Sequence, residues 1–110
     1  MPTPEKQRIV EAESGGPLLG AHFSIAGGIH KALYTARDYR CTAVQIFTKN
    51  ASTWKERILS DQDMEAFDRA RQETGITAIA SHTAYLINLG SPEKKKFDRS
   101  CSALIQEMAR

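Results

Sequence analysis

Residues 79–92 combine a histidine with large apolar side chains in the sequence I-A-S-H-T-A-Y-L-I-N-L-G-S-P. His82 ends a short β-type run, and in α/β proteins ligands and catalytic groups collect at such strand ends. Tyr85, Leu86 and Ile87 follow in a segment that should form an exposed loop. Because exposed loops commonly carry function, these side chains indicate a contact surface rather than a simple connection.

A glycine-rich turn follows an earlier apolar run, in the sequence H-F-S-I-A-G-G of residues 22–28. Its glycines would let backbone N–H groups approach an anion at the start of a helix. The turn lacks both G-x-G-x-x-G and the P-loop lysine, so a phosphate site is weakly supported. The alternative is a tight βα turn in which His22 is a hydrogen-bonded residue.

Residues 48–55, T-K-N-A-S-T-W-K, form a polar loop with one tryptophan. Lys49 and its polar neighbours could hold a phosphate backbone while Trp54 stacks on a base or sugar. Alternatively, Trp54 covers the top of a helix, and Lys49 and Lys55 are solvated. Another basic run, residues 94–96, is typical of an exposed helical face.

Composition sets the outer limits of the interpretation. The chain has 110 residues, a formal charge of +2, and apolar and charged fractions of 41% and 25%. These values indicate one modest globular domain and give no argument from net charge for a polyanionic partner. No apolar run is long enough to span a bilayer. Cys41 and Cys101 are predicted to be small core residues, which fits a cytoplasmic location.

Strand-like runs alternate with helical stripes after a predicted flexible leader, residues 1–16. Strands are predicted over residues 18–23 (buried), 42–48 and 76–80. Ser60 is the predicted N-cap of the second helix and Gly75 its left-handed terminator. Ser91 and Pro92 should begin the third helix. The predicted inner faces of the three helices are, in turn, Ile29, Leu33, Ala36 and Tyr39 or Arg40; Met64, Phe67 and Ala70; and Phe97, Cys101, Leu104, Ile105 and Met108.

The resulting order is βαβαβα, which implies parallel strands with right-handed crossovers. Residues 17–110 therefore form three βα units of an α/β fold. A doubly wound domain and a (β/α)8 barrel would both need more chain, since such a barrel takes roughly 250 residues. We expect the chain to be the N-terminal part of a larger protein.

Three segments together resemble the N-terminal third of endonuclease IV, the zinc-dependent apurinic/apyrimidinic endonuclease family, also called deoxyribonuclease IV. They are L-L-G-A-H-F-S-I-A-G-G (18–28), T-A-V-Q-I-F-T-K-N…W (42–54) and S-H-T-A-Y-L-I-N-L-G-S-P (81–92). Each is modest alone, but three in the right order at the right βα positions are highly specific. The resemblance implies the N-terminal part of a TIM barrel of the xylose-isomerase-like type.

The same resemblance implies a hydrolase of base excision repair that cleaves the phosphodiester 5′ to an abasic site in double-stranded DNA and leaves a 3′-hydroxyl. Three zinc ions and a monomeric full-length enzyme are implied, with His82 as a zinc ligand. Tyr85 and Leu86 would enter the minor groove, where such side chains offset unstacking with new contacts. Asn50 and Trp54 would belong to a DNA-recognition loop.

Two departures from the family's pattern stand out. Ser52 occupies the position where the family often carries an arginine that fills the gap in the duplex, and Thr83 follows the histidine where an acidic or small residue is common. The other zinc ligands lie on later strands in this family. We therefore expect at most one zinc ligand here, no further catalytic residue, and an inactive isolated chain.

Two other interpretations stay open. One is a metal-dependent sugar isomerase or epimerase with a similar barrel, although a sugar pocket would not need a protruding Tyr85 and Leu86. The other is a non-catalytic, truncated remnant.

Overall fold

The computed structural model describes residues 16–110, in which strands and helices alternate. The strands are β1 (Gly20–His22), β2 (Ala43–Ile46) and β3 (Ala78–Ser81); the helices are α1 (Ile29–Asp38), α2 (Asp61–Thr74) and α3 (Lys94–Ala109). The predicted βαβαβα order is therefore confirmed. Apart from Gly16, the predicted leader lies outside the described residues. Within residues 16–110, no helix is long and apolar enough to cross a bilayer.

The strands form one parallel sheet in the order β1-β2-β3. Because side chains alternate along a strand, every second residue faces the same side. That side forms a shallow concavity of about 600 Å³. Two cross-strand rows line it: Gly20–Ala43–Ala78, and His22–Gln45–Ala80.

The opposite side of the sheet carries the core. Val44 and Ile46 of β2 are each 3% exposed and pack against Leu33 of α1, which is fully buried. The prediction that the first strand is buried is wrong, because all three residues of β1 are exposed. The buried cluster centres on β2, while β1 has a hydrogen-bonded neighbour on one side only.

The ends of α2 follow the prediction. The Ser60 hydroxyl accepts a hydrogen bond from the Asp63 amide at 3.1 Å, and the Ser60 amide donates to the Asp63 carboxylate at 2.9 Å. This reciprocal capping box satisfies two amides at the helix start. Gly75 ends the helix in the left-handed conformation with a φ of 71°.

Parts of the first two predicted helix faces are wrong. Helix α1 ends at Asp38, so Tyr39 lies beyond it and is 74% exposed, and Arg40 has a φ of 59°. In α2, Met64 is 49% exposed because the core cluster contacts this helix from Phe67 onwards.

Helix α3 begins later than predicted and buries a different face. It starts at Lys94, and its N-cap residue, Glu93, makes no side-chain capping bond. Ser91 instead accepts from the Glu93 amide at 3.3 Å. The predicted inner-face residues Phe97, Ile105 and Met108 are 41%, 67% and 80% exposed.

The buried residues of α3 are Ser100, Ala103 and Glu107. The polar residues Ser100 and Glu107 can be buried because they accept hydrogen bonds from backbone amides of the loop after β3. Leu104 and both cysteines are half-buried. The prediction of core cysteines holds in part for Cys41, which packs against the core cluster.

Candidate functional site

Two histidines lie at the carboxyl ends of the outer strands. His22 ends β1, and His82 directly follows β3, where its amide continues the ladder by donating to the Ile46 carbonyl at 2.8 Å. The Phe47 ring lies between them, with centroids 4.5 Å from His22 and 5.0 Å from His82. The two imidazole centroids are 6.2 Å apart. The strand ends therefore bring together two rings that are far apart in the sequence.

The hydrogen bonds of these histidines fix opposite tautomers. The His82 Nδ1 lies 2.6 Å from the Thr83 carbonyl oxygen, which can only accept, so Nδ1 carries the proton. The Nε2 lone pair of His82 is left available. The His22 Nδ1 instead lies 3.0 Å from the side-chain amide nitrogen of Gln45, which can only donate, so the neutral ring carries its proton on Nε2. One ring can ligate a metal, and the other can donate to an anion.

His82 fits the chemistry of a zinc ligand. Metal-binding histidines commonly donate the other ring nitrogen to a carbonyl or carboxylate, as His82 does to Thr83. The ring is also exposed. In the part of the chain that the structure describes, no three His, Cys, Asp or Glu side chains form a metal-binding group. Residues 16–110 therefore form no complete metal site by themselves, and the metal role of His82 stays a prediction.

Of the two aromatic rings that contact His82, Phe47 and Tyr85, Tyr85 is the more exposed. It is 68% exposed, and its ring lies edge-on to Phe47 and His82, with centroid distances of 5.1 and 5.8 Å. Leu86 and Ile87 are half-buried, so the expectation that all three large side chains lie on the surface holds fully for Tyr85 alone. The loop after β3 presents one rigid ring.

The loop after β2 is joined to the loop after β3 through the backbone. The Tyr85 amide donates to the Ala51 carbonyl at 2.9 Å. The preceding side chain, Asn50, is exposed and accepts from the Ser52 amide at 2.9 Å, which forms a local turn. The predicted DNA-binding residues Asn50 and Tyr85 therefore lie in two loops that are hydrogen-bonded to each other. Ser52 is exposed in the same turn as Asn50.

Trp54 packs against helix α3. It is half-buried under Arg99 of α3, whose guanidinium carbon is 4.5 Å from the ring centroid. This placement matches the alternative in which the tryptophan covers a helix. Its predicted contact with DNA stays a prediction.

Lys49 behaves as neither alternative predicted. It is 2% exposed, and its ammonium lies 3.5 Å from Glu56. Glu56 also pairs with Arg110, which donates through Nε to the Arg57 carbonyl at 3.1 Å. The lysine therefore belongs to a buried ionic network that holds the loop after β2. The sequence of the loop gives no sign of the pair between Glu56 and Arg110, which are 54 positions apart.

The glycine-rich turn is a tight connection, as its alternative interpretation predicted. The Gly28 amide donates to the Ile25 carbonyl at 2.9 Å, and Gly27 and Gly28 have φ values of 83° and 140°. An adjacent cavity of about 440 Å³ is lined by basic and acidic side chains alike, including Lys49, Arg57 and Asp63. The mixed charge gives no clear preference for an anion.

Two α3 residues that hold the site were not among the predicted site residues. Glu107 accepts from the Ala84 amide at 3.0 Å, and Ser100 accepts from the Asn88 amide at 3.0 Å. The sequence predicts Gln45, which orients His22, only as a strand residue. The polar positions in the α3 pattern were the available signal, but the backbone groups that they meet appear only in the folded chain.

Comparison with known proteins places these features in context. No protein-family model matches the chain. It is 42% identical over 91 residues to a probable endonuclease 4 of Trichlorobacter lovleyi, covering 83% of this chain and 32% of that protein. It is 46% identical over 94 residues to a probable endonuclease 4 of Chlorobium phaeobacteroides, covering 84% and 33%.

A solved structure gives the same answer. Endonuclease IV from Thermus thermophilus superimposes with a TM-score of 0.75 at 36% identity, over 83% of this chain and 34% of that one. The chain thus spans about a third of the length of the proteins that it matches. The resemblance to endonuclease IV is confirmed, and so is the predicted fold class, a βαβαβα part of a TIM barrel.

Proposed function

We propose that this chain, related to endonuclease IV over about a third of that protein's length, forms part of a zinc-dependent apurinic/apyrimidinic endonuclease. The whole protein would act in base excision repair, cutting double-stranded DNA 5′ to an abasic site and leaving a 3′-hydroxyl. A monomeric, cytoplasmic protein is the accompanying prediction.

The observation that carries the proposal is the position of Tyr85. It is an exposed, rigid aromatic ring 5.8 Å from a histidine whose Nε2 is free to bind metal. A duplex that lacks a base leaves a gap which a ring can enter, and stacking on the neighbouring bases stabilises the complex. The ring and the metal ligand would then act on the same nucleotide.

His82 would hold one zinc ion through Nε2. The chemistry that bound zinc supplies is activation of water and neutralisation of the charge that develops on the phosphate. The His22 N–H, fixed by Gln45, would donate to a phosphate oxygen at the same strand ends. Tyr85 and Leu86 would displace the abasic nucleotide from the helix, and Asn50 would contact the backbone beside it.

One assay tests the proposal. The whole protein that contains this chain is incubated with a duplex carrying a single abasic site, with zinc and after chelation. We expect incision 5′ to the lesion that chelation abolishes. Absence of such incision, or metal-dependent turnover of an aldose instead, would reject the proposal. Because no three potential ligands come together within residues 16–110, we expect no incision by this chain alone.

Two substitutions separate the proposed roles. Tyr85→Ala should weaken binding to abasic DNA by about 1–3 kcal/mol, as for other stacking residues. Tyr39→Ala, which removes an equally exposed tyrosine outside the site, is the matched control. His82→Ala should lower the zinc content measured by metal analysis, whereas His30→Ala on α1 should not. Unchanged lesion affinity or unchanged zinc content would contradict the respective role.

A further inference from the structure

Helix α3 buries two polar side chains against the loop that follows β3. Ser100 is fully buried and Glu107 is 8% exposed. They are separated by two helical turns and so lie on the same face. Ser100 accepts from the Asn88 amide and Glu107 from the Ala84 amide, each at 3.0 Å. The helix therefore binds this loop through backbone groups at both ends of the segment that contains Tyr85.

The placement of Glu107 is electrostatically unfavourable for the helix itself. It stands in the last turn of α3, where the helix dipole disfavours negative charge. Burial of a carboxylate adds a further cost unless it is hydrogen-bonded or paired. No ion pair within residues 16–110 includes Glu107. The Ala84 amide is therefore the interaction that accounts for a carboxylate at this position.

The hydrogen bond to Ala84 acts on Tyr85 rather than on His82. The His82 backbone is already held by the strand ladder through the Ile46 carbonyl. Ala84 and Tyr85 are consecutive, and their amides are bound to partners on two different elements, Glu107 and the Ala51 carbonyl. Two successive anchored amides fix the direction in which the Tyr85 side chain leaves the backbone.

We propose that Glu107, with Ser100, is a positioning residue that orients Tyr85 for contact with the lesion. The inference rests on the proposed function, because it assigns these residues to the lesion-recognition step of the same site. Recognition of the abasic nucleotide should depend on Glu107, whereas zinc binding at His82 should not.

Two substitutions of opposite kind test whether the acceptor or the charge matters. Glu107→Gln removes the charge but keeps an oxygen in reach of the Ala84 amide. Glu107→Asp keeps the charge but withdraws the oxygen by one methylene. In the whole protein, we expect Asp to weaken binding to abasic DNA by about tenfold, the usual effect of losing a hydrogen bond to a charged group, and Gln to stay within about threefold. Zinc content and the incision rate at saturating DNA should remain near wild type.

Matched controls lie on the exposed face of the same helix. Ser100→Ala should weaken lesion binding, whereas Ser102→Ala should not. Gln106→Ala is the neighbouring exposed control for Glu107. In a Tyr85→Ala background, Glu107→Asp should cause little further loss of affinity, because residues acting through one another are not additive.

The opposite results would overturn the inference. These are equal losses for Gln and Asp, equal losses on abasic and undamaged DNA, or full additivity with Tyr85→Ala. Amide hydrogen exchange gives a readout independent of activity, since Glu107→Asp should speed exchange at Ala84. If exchange at Ala84 is as slow in Glu107→Asp as in the wild type, the positioning role is rejected even if the protein cuts DNA. If Glu107→Asp speeds exchange at Ala84 but the wild-type protein does not cut at abasic sites, the proposed function is rejected, while the hydrogen bond from Ala84 to Glu107 is supported.

Discussion

Neutralising Glu56 should destabilise the protein far more than removing Lys49, its buried partner. Lys49 and Arg110 have side chains that are 2% and 7% exposed, and both pair with this carboxylate. Glu56→Gln leaves two buried cations without a counter-charge. Breaking a buried pair in this way costs about 3–5 kcal/mol, and the 28% exposure of Glu56 places its cost near the lower end, about 3 kcal/mol.

Lys49→Met has a different effect on the same network. Glu56 keeps Arg110 as its partner, and methionine fills a similar volume without a buried charge. The cost should be less than about 1 kcal/mol, since replacing a buried charge by a well-packed apolar group is often neutral.

Equilibrium urea unfolding of the whole protein measures both costs. Circular dichroism reports the unfolding of the helices. Lys55→Met, at an exposed position in this loop, is the control for loss of a lysine. Equal destabilisation by Glu56→Gln and Lys49→Met, or a larger effect of the lysine, would refute the account of a shared carboxylate.

Two further predictions concern the start of α2. Ser60→Ala removes the capping acceptor and should lower the free energy of unfolding by about 1 kcal/mol, measured by the same urea titration. The Ser60 backbone and side chain donate to Asp63 and hold the pKa of that carboxyl below its ordinary value of 3.8. Its contribution to stability is therefore present above that value and is lost as the pH falls through the lower folded pKa. The stability difference between wild type and Asp63→Asn should shrink on acidification below pH 3.8, and a constant difference would contradict the assignment.

The features that could be predicted from the sequence depend on nearby residues. Ser60, Asp63 and Gly75 determine the two ends of α2 through contacts within three or four positions, so the pattern alone was sufficient. The strand-end position of His82 followed from the alternation of strands and helices. Its proximity to Phe47 and His22 was not predicted, because it comes from the pairing of strands that are distant in the sequence.

The features that could not be predicted depend on groups distant in the chain. The apolar pattern of α3 suggested Phe97, Ile105 and Met108 as its inner face. Ser100 and Glu107 are buried instead because loop amides 12 and 23 positions away need acceptors. A hydrophobic pattern records which side chains avoid water, but it does not record which backbone donors a helix will meet.

These long-range contacts make α3 the common support of both loops. Arg110, the C-cap residue of α3, holds the loop after β2 through Glu56, and Glu107 holds the loop after β3 through Ala84. The Tyr85 amide then joins the two loops at the Ala51 carbonyl. Since each loop is fixed to the same helix and to the other loop, a shift of α3 should displace Asn50 and Tyr85 together. A helix with exposed apolar side chains and buried polar ones is therefore consistent with supporting a recognition surface, because its polar contacts set the geometry of backbone that local sequence leaves undetermined.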